Sequence, residues 1–209
     1  MQDLLSLRLS VLLCTFFIYP NLIAQCPSGE ISLSTQEQVD TFSIIYPDCS
    51  EIQGNLLVFG TSISNLNGLS SIESIDGDLR LTASQVTSLE GLNNLQTING
   101  NFMMTSIAIE NLEGLDNLTT VGGDFIIGNN NVLISLQGVP SISEIGGTLA
   151  IAENDLLPNL SGLENLITLN SILIQDNTSL INTLGLNNLI TINTSLLSYG
   201  NTVMENFNG

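Results

Sequence analysis

A repeat of about 23 residues runs from residue 52 to the last residue and constrains the fold more than any other feature of the chain. Each unit begins with the motif seen in Ile52-Gln53-Gly54-Asn55-Leu56, which recurs at residues 75–79, 98–102, 121–125 and 145–149. A second motif, Leu-x-Gly followed by leucine or valine, recurs at residues 66–69, 89–92, 112–115, 136–139 and 160–163. Self-similarity at this length is typical of solenoids, in which each unit buries its apolar side chains against its neighbours.

The units predict short β-strands separated by turns, because no window of ten residues shows a convincing helical period. The clearest strands are Leu79-Arg80-Leu81 and Phe125-Ile126-Ile127. Leu89 and Leu92 then mark a second wall of the coil, and Leu95 and Ile98 a third. We therefore predict a mainly β solenoid of about seven coils.

Glycines recur at one corner of the predicted coil, at positions 54, 77, 100, 123 and 147. Glycine at a corner permits either a positive φ or a close approach between successive coils. Ser171 and Thr194 take this place in the later coils, so the corner does not strictly demand glycine. We expect all five glycines to be structural.

Asparagines also align from coil to coil, at positions 130, 154, 177 and 201. Stacked asparagines at a turn can bond the backbone groups that the bend leaves unpaired, and each other along the axis. We expect a structural ladder, with ligand binding as the alternative.

Residues 25–50 differ from the repeats and predict an N-terminal cap. Ser34 and Glu37 fit a capping box, and Val39, Phe42 and Ile45 follow at a spacing of three. This pattern predicts a short amphipathic helix from residue 35 to residue 46, stopped by a proline at position 47. Such a helix would cover the open first coil, whose core and strand edge are otherwise exposed.

The cysteines and the first residues indicate export. Residues 1–24 have the apolar run and the cleavage pattern of a signal peptide; the alternatives are a lipid on Cys26 or an uncleaved anchor. Removal of the leader leaves Cys26 and Cys49, for which a disulfide is expected and free thiols or a metal pair are the alternatives.

The repeats occupy residues 51–209, and the last of them is incomplete. We therefore expect the natural chain to continue.

The charge of the chain limits its partners. It has 2 basic and 20 acidic residues and a net charge of −18. Such a surface repels phosphate backbones and anionic lipid headgroups, so nucleic acid and membrane surfaces are improbable partners. After signal removal, we expect no transmembrane segment.

The residue inventory argues against catalysis. The chain has no histidine, which excludes imidazole bases and Ser-His-Asp or Cys-His catalysis. Asp76, Asp78 and Asp124 could in principle cleave a glycosidic bond, but tryptophan platforms and basic helpers are missing. The same aspartates with Asn101 could bind calcium, although a solvated acidic rim is the expectation. We predict no catalytic residue, no cofactor and no metal site.

Side-chain alternation predicts one outward row on the strand wall. If Leu79 and Leu81 point inward, Arg80 points outward. The equivalent outward positions, with a slip of one residue allowed at a corner, are Leu57, Met103, Ile126, Ala150, Leu173 and Leu197. Exposed apolar rows of this kind often mark partner surfaces. The alternative is a row covered by a loop, by a neighbouring domain or by a missing C-terminal part.

The repeat, approximately I-x-G-x-L-x-I followed by L-x-x-L-x-G-L-x-x-L-x-x-I, resembles that of the receptor L domain, from the ligand-binding lobes of insulin- and epidermal-growth-factor-type receptors. It is also similar to sporulation-specific fungal cell-wall proteins, and the opening segment from Cys26 to Leu56 looks like exported repeat proteins of Bacteroidetes. The resemblance implies a right-handed β-solenoid related to leucine-rich repeats and used for recognition at cell surfaces.

The function favoured by this resemblance is a non-catalytic recognition or adhesion module that is secreted or on the cell surface, with a bacterial outer surface as the expected location. It would bind an extracellular protein or glycan through one face of the solenoid. The alternatives are a structural spacer of the cell envelope and, more remotely, a carbohydrate-active β-helix enzyme.

Overall fold

A computed structural model of the chain describes residues 26–82 and 85–207. Within these ranges it contains the helix α1 (Gln36–Ile45), a 3₁₀ turn (Asn67–Leu69) and twelve strands. The strands are β1 (Ile31–Leu33), β2 (Glu51–Ile52), β3 (Leu56–Phe59), β4 (Ser74–Ile75), β5 (Leu79–Thr82), β6 (Thr97–Ile98), β7 (Phe102–Thr105), β8 (Thr120–Val121), β9 (Phe125–Gly128), β10 (Glu144–Ala152), β11 (Thr168–Gln175) and β12 (Thr191–Tyr199). The predicted signal peptide, residues 1–24, lies outside the described residues.

The strands stack in parallel into a solenoid of about seven turns, which confirms the predicted fold class. One wall contains β1, β3, β5, β7 and β9, and the second wall contains β2, β4, β6 and β8. The long strands β10, β11 and β12 run through the corner and belong to both walls. Each strand therefore pairs with the strand one coil later, as Leu56 pairs with Leu79 and Leu79 with Phe102.

The core is a column of side chains that occupy the same position in successive coils. Leu56, Leu79, Phe102 and Phe125 are fully buried, and the two phenylalanine rings stack with their centroids 4.9 Å apart. The predicted wall at Leu89 and Leu92 faces the same core from the third side of the coil, where both leucines are fully buried. That side is built of turns in the described residues, so only two of the three predicted walls carry strands.

The corner glycines are needed for close approach and not for a positive φ. A Cβ on Gly77 would lie 2.7 Å from the carbonyl carbon of Gly54 in the preceding coil. The predicted replacement of glycine by Ser171 is wrong, because Ser171 pairs with Thr148 and not with Gly147. The register shifts between Ile145 and Thr148 because this corner is one residue shorter in the next coil.

The predicted asparagine ladder is present and is structural. Asn130, Asn154 and Asn177 are fully buried. The Oδ1 of Asn154 accepts the backbone N–H of Asn130 at 3.2 Å, and its Nδ2 donates to the carbonyl oxygen of Ile127 at 3.0 Å. The Oδ1 of Asn177 accepts the N–H of Asn154 in the same way, at 3.0 Å. The ladder thus satisfies backbone groups that the bend would leave unpaired inside the core.

The N-terminal helix is present, but its capping box lies one residue later than predicted. Thr35 and Gln38 form the box, in place of Ser34 and Glu37. Both pairs match the capping pattern, but the observed one places Val39 and Phe42 in the core, where they are 0% and 2% exposed.

The predicted apolar face of the helix is shorter than expected. Ile45 was predicted to continue it but is 51% exposed, because the helix ends there. The helix backbone instead packs on the 3₁₀ turn of the first coil, where a Cβ on Gly68 would lie 3.1 Å from the Cα of Asp40. Gln36 adds a second link, since its Oε1 accepts the backbone N–H of Ser64 at 2.8 Å. The helix therefore covers this end of the core with the side chains of Val39 and Phe42 only, which lie on one face of its first two turns.

The disulfide between Cys26 and Cys49 is formed, with the two Cα atoms 4.9 Å apart. It joins the start of the cap to the segment that follows the helix. Closing a loop of this length stabilises a fold by about 3 kcal/mol in the chain-entropy model. The described residues contain one α-helix, which has ten residues. No helix in this part of the chain is long and apolar enough to span a bilayer.

Candidate functional site

The seven residues predicted for the partner face lie in one continuous row on the wall that begins with β3. Each pairs directly with the next, in the order Leu57, Arg80, Met103, Ile126, Ala150, Leu173 and Leu197. Ser32 of β1 pairs with Leu57 and extends the row by one position. Neighbouring strands of a sheet are about 4.8 Å apart, so successive members of the row lie next to each other from β3 to β12. We call it the outward row.

The side chains of the outward row are accessible to different degrees. Leu57, Met103, Ile126 and Leu173 are half-buried. Leu197 is 55% exposed, whereas Ala150 is only 8% exposed because its side chain is short and its neighbours are long. Half-burial of this kind is what a flat sheet gives, since each side chain is shielded on two sides by the next members of its row.

A second outward row lies two residues further along the same strands and was not recognised in the sequence. Its members, paired in order, are Phe59, Thr82, Thr105, Gly128, Ala152, Gln175 and Tyr199. Phe59 and Tyr199 are 41% and 53% exposed and mark its two ends. Small residues at its centre leave the wall lower there than at its aromatic ends. The period of two that located the outward row would also have located this one.

A polar border follows the opposite edge of the outward row, one residue before each strand. The Oδ1 of Asn55 accepts the backbone N–H of Asp78 at 2.8 Å, and the Oδ1 of Asp78 accepts the N–H of Asn101 at 2.9 Å. Asn101 and Asp124 continue the ladder with bonds of 2.7 Å to the next coil. These side chains therefore hold successive coils in register and also give the wall an acidic edge.

Asp78 and Arg80 form an ion pair where the polar border meets the outward row. Nη2 of Arg80 donates to Oδ2 of Asp78 at 2.8 Å. The backbone N–H of Asn101 lowers the pKa of Asp78 below its ordinary value of 3.8; burial acts against this, and Arg80 adds to the lowering. Arg80, the sole basic residue after position 8, is thus bonded to the polar border. Its charge in the outward row is partly neutralised by Asp78.

The carboxylates considered for calcium or catalysis are already used within the corner. Oδ1 of Asp76 accepts a bond of 3.0 Å from Asn99, and Oδ1 of Asp124 accepts the N–H of Thr148. Asp78 and Asp124 lie in the same ladder two coils apart, with Asn101 between them. In the described part of the chain, no three His, Cys, Asp or Glu side chains are grouped so that they could hold a metal ion.

Comparison with known families identifies the repeat. The family model of the receptor L domain matches residues 48–134. Over that segment the chain is a receptor L-domain-like repeat. No curated protein and no solved structure matches it.

The matched segment of this L-domain-like protein contains the part of the wall with the longest outward side chains. It begins next to Cys49 and extends through β9, so it includes Leu57, Arg80, Met103 and Ile126. The later coils continue the same register through β10, β11 and β12. The outward row is therefore one surface across the matched segment and the coils that follow it.

Proposed function

We propose that this L-domain-like protein is a non-catalytic recognition or adhesion module that binds an extracellular partner through the wall carrying the outward row. The observation that carries the proposal is the unbroken register of that row, from Leu57 to Leu197. Rows of apolar side chains on a rigid sheet suit recognition, because the sheet holds them in place without further loss of conformational entropy on binding. The receptor L domain is itself a non-enzymatic ligand-binding module.

A protein partner fits the wall better than a glycan. Leu57, Met103, Ile126 and Leu173 offer aliphatic and thioether surface. The exposed aromatic rings on which a sugar could stack lie only at the two ends of the second outward row, and the chain has no tryptophan. The border adds the carboxylates of Asp78 and Asp124 along one side. An apolar strip edged by lysine or arginine on the partner would be complementary to this arrangement.

The proposed site of action is outside the cell, in secreted form or on a cell surface. The Cys26–Cys49 disulfide and the receptor L-domain match are both consistent with an extracellular location. The resemblance of the opening segment to exported bacterial repeat proteins supports the outer surface of a bacterium as the particular place.

Replacing Met103 and Ile126 together with aspartate tests the face. Both side chains are outward and half-buried, so the change should leave the core intact while it places two charges at the centre of the row. The measurement is affinity capture from the extracellular fraction of the source organism, followed by the Kd of the captured partner. We expect the Kd to rise at least about a hundredfold, as charges buried in an interface without partners are costly.

Thr97→Asp with Thr120→Asp is the matched control, since these residues pair in the same way on the second wall. Binding should survive in this variant. A partner that is retained equally by both variants would exclude the outward row as the binding face. Loss of the circular dichroism spectrum in the Met103/Ile126 variant would show that the row is core. Failure of any partner to bind the unmodified protein would favour the structural spacer, which requires only the stacked coils.

A further inference from the structure

The third side of each coil buries one side chain near its start. These residues are Ile63, Val86, Ile109, Leu133, Leu157 and Leu180. The residues directly before and after them are more exposed to solvent. In the first two coils these flanking residues are polar, namely Ser62, Ser64, Gln85 and Thr87. The fold therefore does not require an apolar side chain at the flanking positions.

Five apolar residues nevertheless occupy the flanking positions in the coils that contain β9, β10 and β11. They are Val132, Ile134, Leu156, Pro158 and Ile181, and we call them the third-side patch. Ile134 and Leu156 are both 50% exposed, and Ile181 and Val132 are 44% and 40% exposed. The third-side patch is thus more exposed than the aliphatic part of the outward row from Leu57 to Leu173.

Hydrogen bonds between coils place part of the patch in one row. The backbone N–H of Ile134 donates to the carbonyl oxygen of Glu110 at 3.0 Å. The N–H of Ile181 donates to Pro158 at 2.9 Å, and the N–H of Glu205 donates to Ile181 at 2.9 Å. The row therefore begins and ends with a glutamate, and a described coil lies on each side of its apolar part. The exposure of the patch does not come from an end of the solenoid.

The use of the backbone within the row limits how a partner can bind. The N–H groups of Ile134 and Ile181 are already bonded to the preceding coil, and Pro158 has no N–H. This side is built of turns, so it offers no strand edge for pairing with a partner. Recognition here must depend on burial of the side chains. Exposed apolar patches with a polar rim mark surfaces of this kind.

Carboxylates surround the third-side patch. Glu110 and Glu205 are exposed at the two ends of its row, and Asp155 is exposed directly before Leu156. Arg80 is the last basic residue of the sequence and lies in β5. A second copy of the chain would bring the same carboxylates against this rim, and like charges that face each other across a contact oppose binding. An apolar segment flanked by lysine or arginine has the complementary charge.

We propose that the third-side patch binds an apolar segment of a partner protein in which lysine or arginine residues flank the apolar ones. The apolar side chains would cover Ile134, Leu156 and Ile181, and the basic side chains would pair with Glu110 and Glu205. This surface lies beyond the asparagine ladder from the wall that carries the outward row. It is therefore a second interaction surface, and it does not depend on the function proposed for that row.

A synthetic peptide with a run of leucines flanked by lysines is the probe. About eight residues suffice, since they span roughly 25 Å when extended and so reach from one end of the row to the other. Two peptides of equal length are the controls: in one, serines replace the leucines, and in the other, glutamates replace the lysines. Amide chemical shifts of the ¹⁵N-labelled 209-residue chain give both the site and the Kd.

We expect the leucine–lysine peptide to shift the amides of residues 132–134, 156–157 and 180–181, and both control peptides to bind at least about tenfold more weakly. Ile134→Ser with Leu156→Ser should raise the Kd of the leucine–lysine peptide about tenfold or more. Both side chains are exposed, so this variant keeps the core, and circular dichroism checks its fold. Met103→Ser with Ile126→Ser is the matched control in the outward row and should leave the Kd unchanged.

Three results would overturn the proposal. The first is no binding of the leucine–lysine peptide at concentrations up to about 1 mM. The second is equally tight binding of the serine–lysine peptide, which would show that charge alone attracts the probe. The third is a Kd that rises in the Met103/Ile126 variant and not in the Ile134/Leu156 variant, which would assign the peptide to the outward row and support the function proposed for it.

Discussion

At the scale of single residues, glycines that look equivalent in the sequence serve two different physical needs. Gly77 and Gly100 lie where successive backbones touch, and a Cβ on either would come within 2.7 Å of the preceding coil's backbone. Gly91 and Gly114 of the other motif have φ values of 101° and 108°, a region that other residues rarely adopt. The motif spacing shows that glycine is required at both places, but only the packing shows which requirement applies.

Asp78 should make stability depend on pH in a predictable direction. Because its pKa is lowered in the folded state, its contribution is fully present above its ordinary value of 3.8 and is lost as the pH falls through the lower folded value. Asp78→Asn keeps an Oδ1 acceptor for Asn101, as Asn55 does one coil earlier, so stability at pH 7 should change by less than about 1 kcal/mol.

Urea unfolding of the Asp78 variants at pH 7 and pH 3 measures this contribution. The Asp78→Asn protein should lose less stability than the unmodified protein between these two pH values. Asp78→Ala is the contrast, since it leaves the Asn101 N–H without its acceptor and should cost about 1–3 kcal/mol at pH 7. Equal pH dependence of the unmodified and the Asp78→Asn proteins would show that the lowered pKa does not contribute to folding.

Asn154→Asp should make stability depend on pH in the opposite direction, although the change is as conservative in shape as Asp78→Asn. Asn154 is fully buried and its Nδ2 donates to the carbonyl oxygens of Ile127 and Ala152, both at 3.0 Å. A carboxylate there would face two acceptors, and an uncompensated buried charge costs about 3–5 kcal/mol. Thermal melts should show a loss of about 6 °C or more at pH 7 that is partly recovered at pH 4, when the carboxyl is protonated. Asn129→Asp, at the neighbouring exposed position, should change the melt little.

At the scale of elements, the cap is decided by what the helix buries. Ser34-x-x-Glu37 and Thr35-x-x-Gln38 both match a capping box, and the local sequence does not rank them. Starting the helix after Thr35 places Val39 and Phe42 against the first coil and brings Gln36 to the backbone of Ser64. The choice depends on a contact between residues 28 positions apart, which no local pattern reports.

Thr35→Ala should therefore destabilise the protein more than Ser34→Ala does. The Thr35 hydroxyl accepts the backbone N–H of Gln38, and loss of such a cap costs about 1 kcal/mol. The Ser34 hydroxyl contacts only the side chain of Gln38 at 3.2 Å, so its removal should cost roughly half as much or less. Urea unfolding measures both, and hydrogen exchange of the helix amides shows whether the loss is local. A larger effect of Ser34→Ala would support the box that the sequence first suggested.

At the scale of the whole molecule, each coil contacts mainly the coils before and after it. The stability of such an array is approximately a sum of unit and neighbour contributions, so whole units are exchangeable in a way that parts of units are not. The two side-chain ladders show contacts of this kind between neighbouring coils. The ladder from Asn55 to Asp124 links the first coils, and the ladder from Asn130 to Asn201 links the last ones.

Deleting residues 99–121, one 23-residue repeat, should give a folded protein of lower stability. The deletion joins Ile98 to Gly122, and Asp78 would then accept the backbone N–H of Asp124 in place of that of Asn101. Circular dichroism and a cooperative melt at reduced temperature are the expected results. Deleting residues 99–110 is the control: it removes half a coil, puts later leucines out of register and should abolish the cooperative melt. Unfolding of both proteins alike would contradict the stacking of independent coils.

The sequence alone determined the stacked coils, the inward column and the outward row. The repeat length and the period of two in each strand fix these features, because every coil must place the same positions toward the core. The tertiary structure alone decided that Thr35 caps the helix and that the corner loses a residue before Ser171. These outcomes depend on contacts between coils, because residues some 23 positions apart along the sequence lie against each other and no local pattern reports such a contact.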